Sequence, residues 1–199
     1  MIAERRLEKI REEVLKLHDV AKRSVEICLE GLRGNDEIRR KLEDLEMEAD
    51  IIHSDIDYDC VTFIALFQPV ARDLRFVVGM MKTSSGYERI TDLALEVGYY
   101  YCYDEELLSL FEEMRKNLLE MFKVLEDSYA GSEVGIVHML KRHDNVVDEC
   151  YEKAIVYLKN KCKVEPVLVA RHLERMGDIL GKIGSTVVFI ESGKRIWIK

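Results

Sequence analysis

Two short stretches of the chain place carboxylates one helical turn apart with an arginine between them. The first is GYERITDLALEV, with Glu88, Arg89 and Asp92; the second is HLERMGDILGKI, with Glu174, Arg175 and Asp178. Like charges at i and i+4 repel on a helix, at a cost of about a few tenths of a kcal/mol per pair. A bound divalent or trivalent cation removes that cost, because carboxylate oxygens and an occasional imidazole are its natural ligands. Each stretch has a possible companion upstream. LEDLEMEADIIHSDIDYD puts Glu46, Asp50, His53 and Asp57 at i, i+4, i+7 and i+11, within a helical stripe about 60° wide. KRHDNVVDECYEKAI supplies Asp144 and Asp148 at the same spacing, but Tyr151 and Ile155 stand where His53 and Asp57 would be, and they are poorer ligands.

At about 100° per residue, Asp92 lies roughly 40° around a helix from Glu88. Ile90, Leu93, Ala94 and Val97 fall on the opposite side, as Met176, Ile179, Leu180 and Ile183 do for Glu174 and Asp178. The acid pairs are therefore expected on an outward face, away from the core. Packing of antiparallel neighbours would set Glu46 and Asp50 beside Glu88 and Asp92, and Asp144 and Asp148 beside Glu174 and Asp178. Four converging carboxylates would raise some of their pKa values. The competing reading is a solvated acidic face, with Arg89 and Arg175 holding the acids in exposed salt bridges of small worth. With 38 acidic residues in the chain, one acid pair alone says little; the repetition is what points to cations. His18, His138, His143 and His172 have no comparable surroundings and are read as structural.

The elements that position these residues read as helices throughout, since no segment alternates with period two. A first helix spans about residues 3–30 and stops at Gly31 and Gly34. A second opens on Asn35 or Asp36 and runs to Phe67; a third begins at Pro69, where a first-turn proline is welcome, and reaches about Tyr101. The second half repeats the plan: residues 105–128, then a helix capped by Ser132 and reaching Lys159, then one from Pro166 to Glu191 before Gly193. Both prolines and both acid-arginine motifs fall on the third helix of a half, so an internal duplication is expected. Pro166 stands only eight residues before Glu174, against 19 between Pro69 and Glu88, so the hairpin before the second motif is shortened. The expected fold is all-α: two tandem antiparallel three-helix bundles, residues 1–101 and 104–199, with YYYCYDEE packing at the junction.

Composition narrows the function classes. The 199 residues carry a net charge of −8, which disfavours nucleic acid and anionic lipid as partners. MIAERRLEKIREEVLK lacks the apolar region of a secretory signal, and the long apolar run CVTFIALFQPVARDLRFVVGMM is interrupted by Pro69, Arg72, Asp73 and Arg75, which excludes a plain membrane span. The five cysteines Cys28, Cys60, Cys102, Cys150 and Cys162 are dispersed, as expected of reduced thiols packed as small hydrophobes in the cytoplasm. No nucleophilic triad, phosphate-cradling glycine loop or dinucleotide fingerprint is present.

QPVARDLRFVVGMMKTSSGYERITDLA, residues 68–94, closely resembles the PhoU family of phosphate-uptake regulators, and VARHLERMGDIL, residues 169–180, is similar to the second repeat of that family. The resemblance covers both halves. It implies two tandem three-helix bundles and surface clusters of transition metal, commonly iron, held by four acid-x-x-x-Asp motifs. The matching positions here are Glu46/Asp50, Glu88/Asp92, Asp144/Asp148 and Glu174/Asp178. An oxygen-rich site with one histidine would also suit manganese, magnesium, calcium or zinc. The family implies a non-catalytic, cytosolic adaptor which restrains the phosphate-specific transporter or quiets phosphate-starvation signalling; a homodimer is expected separately, since outward clusters could bridge two chains. Its expected partners are the transporter ATPase subunit or a phosphate-sensing regulator. The alternatives are a ferritin-like carboxylate-bridged di-metal oxidase, for which Asp50-x-x-His53 is the one similar element, and a metal-free helical scaffold.

Overall fold

The computed structural model describes residues 2–129, 135–159, 161 and 163–194. The described residues form six long helices: α1 (Ile2–Ile27), α2 (Asp36–Phe67), α3 (Ala71–Tyr99), α4 (Glu105–Tyr129), α5 (Ile136–Leu158) and α6 (Val164–Ser192). Each is amphipathic for a visible reason. In α1, Ile10, Val14, Leu17, Ala21 and Val25 recur at three- and four-residue spacing, and all five are buried.

Where helices stop, local chemistry accounts for it. A 3-10 turn, Cys28–Arg33, follows α1 and ends at Gly34, whose φ of 79° is left-handed backbone that suits glycine. Asn35 then caps α2: its side chain accepts the backbone N–H groups of Glu37 at 3.2 Å and Ile38 at 3.3 Å. α6 ends on another left-handed glycine, Gly193. The expected start of α3 needs correction. Gln68, with φ of 45°, closes α2, Pro69 lies in the connection, and extended Val70 precedes α3. Proline disfavours helical backbone in the residue before it, so the chain turns before α3 begins. Pro166, by contrast, sits inside the first turn of α6, so the two prolines are not at equivalent places. The Ser132 cap expected for α5 lies outside the described residues; Gly135 precedes that helix.

α1 and α2 pack on α3, and α4 and α5 pack on α6, giving the two three-helix bundles. α3 and α6 then pack against each other and run antiparallel. Glu96 meets His172 at 3.0 Å near one end, while near the other a Cβ on Gly79 would sit 2.5 Å from the Ile190 side chain. α3 and α6 are both 29 residues long, but the acid-arginine motif lies late in α3 and early in α6. The antiparallel pairing therefore brings the two motifs to similar heights along the molecule. A second tie crosses between the bundles: buried His18 of α1 bonds through Nδ1 to the Tyr87 hydroxyl of α3 at 2.9 Å, which meets the Tyr129 hydroxyl of α4 at 3.1 Å. The expected junction packing holds only in part: Tyr100 is half-buried, whereas Tyr99, Tyr101 and Tyr103 are exposed. Tyr100 stacks on His172, and the Arg39 guanidinium lies 4.7 Å above the Tyr101 ring.

Two candidate cation clusters

The first acid group forms where α2 lies along α3. Leu42, Leu45, Ala49 and Ile56 of α2 are buried against the bundle, which turns Glu46, Asp50, His53 and Asp57 to the edge of the interface. On α3, buried Tyr87, Ile90, Thr91 and Ala94 leave Glu88 and Asp92 half-exposed at that edge. The four carboxylates are electrostatic neighbours. Burial and then the charges of Asp50 and Asp92 raise the Glu46 pKa. Burial and Asp92 raise that of Glu88, with His53 opposing. The structure thus brings Glu46, Asp50, Glu88 and Asp92 together beside His53. Asp57 is set further along, its Oδ2 3.9 Å from His53 Nε2.

His53 is oriented by its other ring nitrogen. Ser84 Oγ donates to the Met81 carbonyl at 2.9 Å, so its oxygen accepts from His53 Nδ1–H at 3.1 Å. Nε2 is left facing Asp57 Oδ2, 3.9 Å away, and a ring held through Nδ1 in this way can offer Nε2 to a metal.

The second acid group forms between α5 and α6, from Asp144, Asp148, Glu174 and Asp178. Here crowding is stronger. The carboxyl of Asp144 is raised from the ordinary 3.8 to about 6, first by burial and then by Asp148, Asp178 and Glu174. Asp148 and Glu174 are also raised, burial first and like charges after. Gly177 makes room for this: a Cβ there would lie 3.0 Å from Asp144 Oδ1, so any larger residue would press on the carboxylate. Tyr151 and Ile155 are half-buried on α5 and add no ligand.

Salt bridges answer part of the charge. Arg89 donates to Asp92 Oδ2 at 2.6 Å, as the alternative reading expected. At the second group the bridge to Glu174 comes at 2.8 Å from Arg171, one turn before it, rather than from Arg175. Lys182 lies 3.9 Å from Asp178. Sequence reading missed Arg171, Lys182, Ser84 and Gly177. Arg171 and Lys182 could have been found from their i−3 and i+4 spacing to the acids, but Gly177 carries no signal until α5 is placed beside it.

The donor set fits a hard or borderline cation: eight carboxylates, one oriented imidazole, and repulsion that a positive ion would relieve. Among the described residues, no three His, Cys, Asp or Glu side chains are already gathered closely enough to hold an ion. Loading would therefore require side-chain rotation, with Arg89 and Arg171 giving up their carboxylates. Both groups lie at helix edges, and among the described residues no Asp or Glu is buried in the core between the helices, so these residues form no interior four-helix di-metal cage. No described helix is long and apolar enough to cross a membrane.

Comparison with known proteins agrees with this architecture. The PhoU domain profile matches twice, over residues 14–100 and 111–187, once in each half. A protein of Archaeoglobus fulgidus, a phosphate-specific transport system accessory protein PhoU homolog, is 41% identical over 189 residues, covering 95% of this chain and 94% of the relative. A Synechocystis protein of the same description is 30% identical, with 96% and 92% covered. The crystal structure of PhoU from Pseudomonas aeruginosa superposes with a TM-score of 0.79 at 21% identity, covering 96% of this chain and 99% of that one. With two profile matches and a full-length relative at that identity, the chain belongs to the PhoU family.

Proposed function

We propose that this protein is an accessory regulator of phosphate uptake: a non-catalytic, cytosolic adaptor that restrains the phosphate-specific transporter, phosphate-starvation signalling, or both. The observation that carries this reading is the 41% identity, across nearly the whole of both chains, to a relative described as a phosphate-specific transport system accessory protein. The fold supports it, since six packed helices with outward acid groups make a docking body. The partner would be the transporter ATPase subunit or a phosphate-sensing regulator, and the working unit a homodimer.

Glu46, Asp50, His53, Glu88 and Asp92 would hold cations at the first cluster, with Asp57 at its margin. Asp144, Asp148, Glu174 and Asp178 would hold them at the second. Iron is the proposed metal, with manganese, magnesium or zinc as competitors for the same oxygen-rich donors. Bound cations would neutralise the converging carboxylates and offer positive charge to an incoming anion or acidic partner. The test is phosphate uptake in cells lacking the gene. Labelled phosphate should enter phosphate-replete deletion cells faster than the parent, and the wild-type protein should restore the slower rate. Uptake and starvation-gene expression unchanged by deletion would count against the proposal.

A further inference from the structure

The outer face of α2 carries a second pattern beside its acid stripe. Met47, Ile51, Ser54, Tyr58 and Val61 recur at alternating four- and three-residue steps, the 3.5-residue period of a helix that packs along another helix. None of the four large ones is covered: Met47 is 61% exposed, Ile51 60%, Tyr58 72% and Val61 57%. Isolated exposed apolar side chains need no explanation, but four in register along one helix, interrupted by Ser54 alone, mark an interaction surface.

The fold itself does not demand this row. The equivalent face of α5, aligned through the Glu46/Asp50 and Asp144/Asp148 pairs, carries Asn145, Glu149, Glu152, Val156 and Lys159. All five are exposed, and Val156 is the one apolar residue among them. The same architectural position is thus solvated in one half and apolar in the other.

The charges beside the row select its occupant. Residues 42–67 contain eight carboxylates and no lysine or arginine, as many as the net charge of −8 of the entire chain. At about 100° per residue, Asp44, Glu48 and Asp55 line one side of the row, and Glu46, Asp50 and Asp57 the other. A second copy of this face packed here, parallel or antiparallel and centred on the row, would set acid against acid over the stretch from Asp44 to Asp57, which opposes pairing. Lysines and arginines flanking an apolar stripe would complement both sides. We propose that the α2 face is the docking site for a basic amphipathic helix of a partner protein. The inference deepens the adaptor reading by naming a partner surface; it holds in full for the metal-free face, and Asp44, Glu48 and Asp55 keep their side of the row acidic when cations occupy the other.

The probe is a fluorescently labelled peptide of about three heptads with leucine at the two apolar positions and lysine or arginine beside them. Its like charges disfavour self-association. Binding is followed by anisotropy in EDTA, against a scrambled peptide of identical composition. Wild-type protein should bind the striped peptide at least about tenfold more tightly than the scrambled one. Ile51→Ser/Tyr58→Ser should weaken binding at least about tenfold, and Asp44→Lys/Asp55→Lys should do the same while flattening its salt dependence. All four positions are exposed, and unchanged circular dichroism and Tm confirm that the variants fold. Equal binding of both peptides, binding indifferent to Ile51→Ser/Tyr58→Ser, or none up to about 100 μM would overturn the proposal. Sedimentation showing a wild-type dimer that the same serine variant converts to monomer would also overturn it, placing a second copy on the face. The uptake assay reads phosphate handling and not this surface, so the adaptor reading can survive such a failure.

Discussion

Replacing Asp144 by asparagine should stabilise the metal-free protein near neutral pH, although it removes a carboxylate of a candidate site. Folding raises this carboxyl from the ordinary 3.8 to about 6 through burial and the charges of Asp148, Asp178 and Glu174. A group whose folded pKa is raised contributes its stability below the unfolded value and loses it as pH rises through the folded one. Asp144 therefore costs nothing near pH 4 and becomes a liability between about pH 4 and 7. The full shift corresponds to about 3 kcal/mol. Asp144 is only partly shielded from water, and solvent screening reduces this to about 1 kcal/mol. Urea unfolding in EDTA, followed by circular dichroism, should show the variant gaining about 1 kcal/mol on the parent between roughly pH 4 and pH 7.5. His18 titrates in the same window with opposite sign, but it is present in both proteins and cancels in the difference. A difference that stays flat across this range, or a variant that loses stability as pH rises, would refute the crowding argument.

Two further outcomes follow from the packing. Burial lowers the His18 pKa from 6.5 to about 4. The unfolded chain then takes up the proton first, so stability is intact above about pH 6.5 and falls by about 3 kcal/mol toward pH 4. In His18→Phe that decline should disappear when unfolding midpoints are compared across the same range, because Tyr87 keeps its Tyr129 partner. Gly31→Ala would place a Cβ 2.5 Å from the Gly98 carbonyl oxygen and 2.7 Å from its Cα. The obstruction is backbone and cannot rotate away, so the variant should lose about 2 kcal/mol or more in urea unfolding.

The sequence disclosed most where one residue acts on its own neighbours. Asn35 marks the start of α2 because its side chain caps that very turn, and Gly34 and Gly193 end helices through their own backbone. The duplication was legible because its motif recurs. The start of α3 was not, because the left-handed turn at Gln68 depends on how two helices reverse against each other. Side-by-side acids could be anticipated from spacing, but not their depth. Asp144 is raised more than its first-half counterparts because Gly177 lets it settle into the groove, and that contact joins residues 33 positions apart. His172 read as an ordinary structural histidine, yet it pairs with Glu96 across the α3–α6 contact, which only tertiary packing creates. The apolar row of α2 went unread, because period alone does not tell an exposed apolar stripe from a buried one.

The most direct test of the central claim, that the two acid groups are cation sites, is metal content by mass spectrometry on tag-free protein. Wild type should be measured beside Glu88→Gln/Asp92→Asn and Glu174→Gln/Asp178→Asn. The parent should carry stoichiometric metal, with each variant losing its own share and keeping that of the other group. Equal, sub-stoichiometric metal in all three proteins would contradict it and leave the acids as a salt-bridged surface.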